Sequence, residues 1–566
     1  MVSFDLPAFV RRHRYLLAAG GLIAVGVALR LALILAGWPH SNSEEGTMGL
    51  EAMHILQRGE RPIYFYGQNY MGAGEAYLGA LAFWLFGVSL VALRLGMVAL
   101  YARFMVGVGW LAQMLYGRRV ALVALAVLAL GTPFLLQIEL LADGGKAETL
   151  ALGALMVALA AWLALRWDAR PTPTRGQRIR RYGALAAWGV CAGLGLYTYA
   201  IVAPFALASG LLLLIARWRE LRRGAWALPL AGLLMGLLPA IFYTAQAPLT
   251  NNPIAVFLSL HQSLNNGGAP GTFALPQQLV GTLLYTLPAA TGLVNIYPVE
   301  ALPLYGPFTP ATFAALLIGG GWSLGYLALL AVATYRPARA LRRNWPAWRL
   351  WRATTTADDD QERARNLARL MLALAAWLTI AGYLFSATAA NNPHSGRYMI
   401  GLLIAVPALL WPILEGVRDA GAAKASFRHI ARPAAIALIG LALLLGVVGM
   451  ARAVPMGVAE SRSDVTFAHN LLTHHLTRFY SDYWTCDLMN FATREQVICA
   501  VVADYGQPGL TRYPPYDAAV RAVPNAPYLL RRGSDIERTF ILHAAQTGQH
   551  YRVAYHVGSY AVYMAT

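Results

Sequence analysis

The sequence predicts an α-helical polytopic membrane protein with about 11 transmembrane helices, followed by a small α/β domain at the C-terminus. Three observations support this prediction, and two of them concern composition. Of the 566 residues, 58% are hydrophobic and only 13% are charged, whereas soluble domains carry about 25% charged residues. The third is that apolar runs of about 18 to 22 residues, long enough to span a bilayer as helices, recur along the chain.

The net charge of +18 reflects membrane topology and not nucleic-acid binding. Nearly every cation is arginine, with Lys146 and Lys424 the only lysines, and most arginines lie in short loops between apolar runs. The positive-inside rule assigns such loops to the cytoplasm. No basic face with interleaved aromatic residues appears, which argues against a nucleic-acid partner.

The first apolar run, 15–37, follows three N-terminal arginines and is too long for a signal-peptide core. No small-residue cleavage site follows it, so we expect a retained membrane helix with the N-terminus in the cytoplasm. The predicted crossings are 15–37, 88–115, 120–138, 149–165, 183–199, 201–216, 225–245, 310–333, 370–388, 399–416 and 434–451. The predicted external loops are 38–87, 139–148, 246–308 and 390–398.

From about residue 456 the composition changes to that of a soluble domain, which the odd number of crossings places outside the cell. Alternating helices and strands predict a small α/β domain at 456–566, after a membrane module at 1–455. The predicted elements are helices at 466–480 and 534–547, strands at 496–502 and 528–530, and a hairpin at 551–564 that turns near Gly558.

Two features of this domain have two interpretations each. Cys486 and Cys499 either form a disulfide in an oxidising space or remain two buried thiols. The aromatic segment Tyr480–Trp484 either binds glycan by stacking or belongs to the core.

The first external loop contains two adjacent carboxylates, Glu44 and Glu45. Carboxylates beside a bilayer are costly to bury and usually mark a functional site. The alternative is that both acids begin the next helix, where the helix dipole favours anions.

Polar side chains predicted in the other external loops would meet these acids at one membrane surface. A carboxylate there could deprotonate a hydroxyl while cations hold a phosphate leaving group, which suits a lipid-linked sugar phosphate. The candidate substrate-binding residues are Asp143, Lys146, Glu148, His394, Arg397, Tyr398, Tyr197 and Tyr199, with Glu75 beside them. The structural alternatives are helix caps for the acids, an ion pair for Lys146, a surface position for His394 and interfacial positions for the tyrosines.

The residues around Glu44 resemble the first-loop signature of the GT-C membrane glycosyltransferases. The signature residues are Glu44-Glu-Gly-Thr-Met-Gly-Leu-Glu-Ala52, Gly59, Pro62, Tyr66-Gly-Gln-Asn-Tyr-Met-Gly72, Glu75-Ala-Tyr77, Leu85-Phe-Gly-Val-Ser89 and Leu93-Arg94. The nearest branch is family-39-like, with protein O-mannosyltransferases and lipid A aminoarabinose transferases as relatives. Ser395-Gly-Arg-Tyr398 and Gly193-Leu-Gly-Leu-Tyr-Thr-Tyr199 resemble later motifs of this group, and the resemblance covers roughly residues 15–410.

The resemblance implies a glycosyltransferase of a bacterial plasma membrane, with an external active site, a polyprenyl-phosphate sugar donor and inversion at the anomeric carbon. It places Glu44 where these enzymes have their general base, usually an aspartate, and Glu45 beside it as a catalytic partner. An acid of the second outer loop, Glu148 or Asp143, would assist. Some of these enzymes need a divalent metal and others do not, and the candidate metal ligands are Glu45, Asp143 and Glu148. The acceptor implied is a lipid, a glycan or a protein.

Two other classes of function fit a polytopic chain. A lipid or solute transporter, such as a flippase, would show paired halves and broken helices near the middle of the membrane. The predicted polar residues cluster at one face instead, which favours an enzyme. A noncatalytic scaffold or glycan-binding protein would depend on the outer domain and not on Glu44.

Overall fold

The structure is a computed structural model. It describes residues 6–165, 174–248, 251–256, 275–293, 310–343, 357–386, 389, 393–415 and 425–566. The principal helices before the C-terminal domain are Leu6–Leu35, Ser43–Arg58, Gly74–Phe86, Leu90–Tyr116, Arg118–Leu130, Pro133–Leu140, Lys146–Leu165, Arg175–Thr198, Ala203–Ala216, Ala227–Gln246, Leu275–Gly281, Pro310–Arg343, Ala357–Leu384, Val406–Glu415 and Ala425–Thr473. A 3-10 helix, Pro393–Ala405, precedes Val406–Glu415.

Eight of the described helices are long and apolar enough to cross a membrane, and the number of spans rises to ten if each of two bent helix pairs counts as one span. The chain is therefore a multi-pass membrane protein, as predicted. The predicted crossing 120–138 contains a bend, because Arg118–Leu130 and Pro133–Leu140 meet at 81°. Gly131, with φ of 64°, and Pro133 at the start of the second helix account for the break.

The chain divides into two compact units. The first comprises Met1–Arg30, Ala99–Glu139 and Lys146–Ala451, and the second comprises Leu31–Val98, Leu140–Gly145 and Arg452–Thr566. The second unit therefore contains the whole of the first predicted external loop together with the C-terminal domain. The predicted domain boundary between residues 455 and 456, and the side of the membrane on which each loop lies, stay predictions.

Two helices of the first unit pack through faces of small residues. Gly189 and Gly193 of helix Arg175–Thr198 lie against helix Ala227–Gln246, where a Cβ atom on either glycine would collide with a backbone carbonyl oxygen. Small residues four positions apart allow two membrane helices to approach closely. Such contacts matter in lipid because the hydrophobic effect does not drive helices together there.

An arginine is buried in the first unit where the bent helix breaks. Arg30 forms an ion pair of 2.6 Å with Glu139, and the two side chains are 0% and 3% exposed. Its guanidinium also donates to the carbonyl oxygens of Leu128 and Ala129 at 3.1 and 2.7 Å. The last carbonyls of a helix have no partner within that helix, so Arg30 satisfies groups that the bend would leave unpaired.

The C-terminal domain contains a five-stranded mixed sheet with the strand order β2-β1-β3-β5-β4. The strands are β1 (Arg478–Ser481), β2 (Ile498–Val501), β3 (Tyr528–Arg531), β4 (Tyr551–Val557) and β5 (Tyr560–Ala565). Strand β1 is parallel to β2 and β3, whereas β5 is antiparallel to β3 and β4. The helices are Tyr483–Ala492, Pro514–Arg521 and Asp535–Thr547.

Most predicted elements of this domain are confirmed. Strands β2 and β3, the helix that Ser534 caps and the hairpin that turns at Gly558 lie where the sequence pattern predicts them. The predicted helix 466–480 is wrong at its end, because the helix stops at Thr473 and residues 478–480 belong to β1. Buried and half-buried side chains alternate along β1, which is the period of a strand.

The C-terminal domain packs closely on the first-loop helix, Ser43–Arg58, within the second unit. A Cβ atom on Gly46 would lie 2.6 Å from the carbonyl oxygen of Asp487. A Cβ atom on Gly49 would lie 2.6 Å from the ring of Phe491. Two glycines of the first-loop signature therefore allow this close helix contact.

Cys486 and Cys499 form a disulfide that joins helix Tyr483–Ala492 to β2, so they are not two separate buried thiols. Replacing both cysteines by serine should lower the free energy of unfolding of this domain by about 2–4 kcal/mol, because the bond restricts the unfolded chain. Thermal unfolding in detergent measures the effect, with Cys191→Ala as the control because Cys191 is a free thiol. Equal unfolding temperatures for the double variant and the wild type would contradict this.

Candidate functional site

The candidate site begins at the N-terminus of the first-loop helix. Asn42 caps this helix, since its side chain accepts a hydrogen bond of 2.9 Å from the backbone N–H of Glu45. Glu44 and Glu45 lie in the first turn, where the helix dipole favours anions. Both acids thus occupy the helix start, and their surroundings distinguish them.

Glu45 is fully buried and forms an internal ion pair with Arg94. Arg94 donates from Nε to Oε1 at 2.8 Å and from Nη2 to Oε2 at 2.6 Å. Such bidentate hydrogen bonds between charged groups are stronger than hydrogen bonds between neutral groups. Ser41 donates to Oε2 at 2.7 Å, and the backbone N–H of Ala142 donates to Oε1 at 3.2 Å. Each oxygen of Glu45 thus accepts two hydrogen bonds, which suits a structural anion better than a proton acceptor or a metal ligand.

Glu44 differs from Glu45 because 15% of its side chain is exposed. Its Oε1 accepts a hydrogen bond of 3.2 Å from Nη2 of Arg512, whose side chain is only 1% exposed. Arg512 belongs to the C-terminal domain and lies 468 positions further along the chain. A carboxylate that is partly accessible and held by a buried cation can receive a proton from a bound hydroxyl.

Asp143 and Glu75 also belong to the second unit. The segment that contains Asp143 is anchored on both sides: the backbone N–H of Ala142 donates to Glu45, and that of Gly144 donates to Glu75 at 2.9 Å. Asp143 itself is buried, with 5% exposure. The segment therefore lies against two acids of the first predicted external loop.

Two further candidates lie at the start of one helix in the first unit. Lys146 and Glu148 occupy the first turn of helix Lys146–Leu165 and are 3% and 5% exposed. A buried cation beside apolar helices is costly and marks either a functional site or a structural ion pair.

Three more candidates contact one another in the first unit. Arg397 donates from Nη2 to the hydroxyl of Tyr398 at 3.3 Å, and its guanidinium lies 5.2 Å from the centroid of that ring. The rings of Tyr398 and Tyr199 meet edge to face, with centroids 6.5 Å apart. Tyr197 is buried. The side chain of His394 lies outside the described residues.

The described residues contain no group of three or more His, Cys, Asp and Glu side chains arranged to hold a metal ion. Of the three candidate ligands, Glu45 is engaged by Arg94 through both oxygens. Asp143 lies in the second unit and Glu148 in the first.

The aromatic segment Tyr480–Trp484 combines two environments. Tyr480 stacks on Tyr528 of the sheet, with ring centroids 5.0 Å apart. Trp484 is 61% exposed and lines a cleft of about 990 Å³ in the second unit. Glycan stacking by this segment stays a prediction.

A second polar contact between the first-loop helix and the C-terminal domain was not expected from the sequence. Glu495 accepts hydrogen bonds from His54 at 3.1 Å, from Tyr516 at 2.9 Å and from Arg58 at 2.5 Å. Burial favours the neutral acid, but the hydrogen bonds from His54 and Tyr516 outweigh it and lower the pKa of Glu495 to about 2. No local motif marks these residues, because most of these partners lie far apart in the sequence.

Acid should weaken this contact. The pKa of Glu495 in the folded protein, about 2, lies below its ordinary value of 4.5, so its stabilising contribution is present above pH 4.5 and is lost as the pH falls towards 2. Glu495→Gln should therefore lower the unfolding temperature at neutral pH and flatten its decrease in acid. Unfolding temperatures of both proteins across this range test the prediction, and parallel curves would contradict it.

No protein-family model matches the chain, and no curated protein matches it by sequence. Its fold is similar to that of several solved structures of GT-C membrane enzymes, including the following two. ArnT from Cupriavidus metallidurans bound to undecaprenyl phosphate is 14% identical with a TM-score of 0.50, over 98% of this chain and 98% of that one. The apo form of the Archaeoglobus fulgidus oligosaccharyltransferase is 14% identical with a TM-score of 0.51, over 93% of this chain and 70% of that one. The predicted GT-C fold is therefore confirmed.

Proposed function

We propose that this chain is an inverting glycosyltransferase that moves a sugar from a polyprenyl-phosphate donor to an acceptor hydroxyl on the outer side of the membrane. The observation that carries the proposal is Glu44, a partly exposed carboxylate at a helix N-terminus that is held by the buried Arg512 on a GT-C fold. ArnT, with the same fold, was solved with undecaprenyl phosphate bound, which supports a lipid-linked donor.

In the proposed reaction, Glu44 accepts the proton of the acceptor hydroxyl while the hydroxyl oxygen attacks the anomeric carbon of the donor sugar. The bond between that carbon and the phosphate oxygen breaks, and the polyprenyl phosphate leaves with the electron pair. Attack from the side opposite the leaving group inverts the anomeric configuration. Asp143 and Glu148 are the proposed assisting acids.

The departing phosphate develops negative charge, which nearby cations stabilise. Arg397 suits this role because a guanidinium presents planar donors that match phosphate oxygens, and Tyr398 contacts it through the hydroxyl and the ring. Lys146 is the second proposed phosphate ligand. Tyr197, Tyr199 and His394 are the proposed sugar contacts.

A divalent metal would be held by carboxylate oxygens. Glu45 does not fit this role, since Arg94 binds both of its oxygens. Asp143 and Glu148 stay the proposed ligands, and no step of the reaction above depends on a metal.

The proposed orientation has the N-terminus in the cytoplasm and the C-terminal domain outside. The disulfide between Cys486 and Cys499 supports it, because such bonds persist in oxidising spaces. The arginine-rich loops between crossings support it through the positive-inside rule.

A reconstitution assay tests the proposed function. Liposomes with purified protein receive polyprenyl phosphates charged with a radiolabelled hexose, pentose or amino sugar, together with a cell-envelope extract as acceptor. The proposal predicts transfer of label from one of these donors to an acceptor, with release of polyprenyl phosphate. Movement of the intact labelled lipid across the bilayer, with no loss of sugar, would contradict the proposal and favour a flippase.

A further inference from the structure

Arg512 is fixed by its neighbours in the second unit. Its Nε donates to the hydroxyl of Tyr483 at 2.7 Å, and its Nη1 donates to the backbone carbonyl of Tyr66 at 3.3 Å. The Gln68 amide, oriented with its oxygen towards the guanidinium, accepts from Nη1 and Nη2 at 3.1 and 2.9 Å. With 1% of the side chain exposed, Arg512 has one well-defined position.

Aromatic rings enclose the same guanidinium. It lies 4.9 Å from the ring centroid of Phe65 and 5.4 Å from that of Tyr483. Burial raises the pKa of Tyr483 to about 12, so this hydroxyl stays neutral and does not compete as an anion for the guanidinium. Among the described residues, Glu44 is the carboxylate that forms an ion pair with Arg512.

We propose that Arg512 is a positioning residue for Glu44, so that the C-terminal domain supplies an essential part of the transferase machinery. A glutamate side chain rotates about one more bond than aspartate does, and proton transfer requires it to be held in one geometry. A guanidinium that its own neighbours already hold restricts this rotation at little further cost in entropy. The inference rests on the proposed function, in which Glu44 is the base.

The chain offers a matched control for this role. Arg58, in the last turn of the same helix, pairs with Glu495 of the same C-terminal domain. Arg58→Gln therefore removes a contact between the helix and the domain without touching Glu44. If Arg512 served only to attach the domain, Arg58→Gln and Arg512→Gln would have similar effects.

The proposal is tested by measuring kcat and the KM for the donor in three variants, Arg512→Gln, Arg512→Lys and Arg58→Gln. The folded fraction of each protein is measured in parallel. We expect Arg512→Gln to lower kcat by about 10²-fold, the typical effect of a misplacement of about 1 Å, with the KM for the donor unchanged. Arg512→Lys should recover part of the loss, and Arg58→Gln should leave kcat at the wild-type value. An unchanged kcat in Arg512→Gln, or a raised KM with unchanged kcat, would overturn the proposal.

Two further variants keep the test decisive. If Arg512→Gln does not fold, Tyr483→Phe takes its place, because it removes only the hydroxyl that accepts a hydrogen bond from Arg512. This variant should lower kcat by a smaller factor than about 10²-fold. An unchanged kcat in Tyr483→Phe would overturn the proposal. In Glu44→Gln, adding Arg512→Gln should cause no further loss, because both act on one step. An active Glu44→Gln protein would refute the assignment of Glu44 as base. If Glu44→Gln is inactive but Arg512→Gln is fully active, the assignment of Glu44 stands and only the positioning role of Arg512 is refuted.

Discussion

Replacing Glu44 by glutamine should reduce kcat for sugar transfer by about 10²- to 10⁴-fold, the usual contribution of a general base. Glutamine keeps the length of the side chain and can still accept a hydrogen bond from Arg512, but it cannot take up the proton of the acceptor. The KM for the donor should stay nearly constant, since no group assigned to the phosphate is lost. Initial rates with labelled polyprenyl-phosphate sugar give both parameters.

Two comparison variants sharpen this result. Glu460→Gln neutralises another glutamate of the second unit, whose side chain is 59% exposed, and should transfer sugar at the wild-type rate. Glu44→Asp keeps the carboxylate but shortens it by one methylene, so it should retain part of the activity. Wild-type kcat in Glu44→Gln would remove Glu44 from the chemistry.

The second large effect concerns stability. Glu45→Gln leaves the guanidinium of Arg94, only 1% exposed, without its counter-charge. Removing one partner of a buried ion pair costs about 3–5 kcal/mol, because the remaining charge stays in a medium that solvates it poorly. We expect a marked decrease in the unfolding temperature of the purified protein in detergent, and a lower yield of folded protein.

The double variant Glu45→Gln, Arg94→Met removes both charges and should recover a large part of that loss. The exposed pair of Glu460 with His40 provides the comparison, since Glu460→Gln should cost less than about 1 kcal/mol. A Glu45→Gln protein that is as stable as the wild type but inactive would instead assign Glu45 to the reaction.

Local sequence signals predicted much of the fold. Long apolar runs predicted the membrane helices, and Gly558 turns the last hairpin as predicted. The bend after Gly131 was not expected, because the apolar run continues through it and hydropathy does not report helix direction. The end of helix Ala425–Thr473 was predicted too late, although Phe479 and Tyr480 are residues that favour strands.

The candidate site shows a different limit of the sequence. Adjacent acids marked Glu44 and Glu45 as candidates, but nothing local distinguishes the buried partner of Arg94 from the accessible acid beside it. That distinction depends on tertiary contacts across 49 positions for Arg94 and 468 positions for Arg512. Arg512 lies in no recognisable motif, so only the folded chain brings it to Glu44.

A cryo-EM map of Glu44→Gln with an intact polyprenyl-phosphate sugar tests the proposed mechanism most directly, because this variant should bind the donor without turning it over. The mechanism predicts that the sugar lies with its anomeric carbon towards residue 44 and that the phosphate leaves from the opposite face of that carbon. An acceptor hydroxyl should fit between residue 44 and the anomeric carbon. A donor bound with its sugar remote from residue 44, or with the phosphate facing that residue, would contradict it.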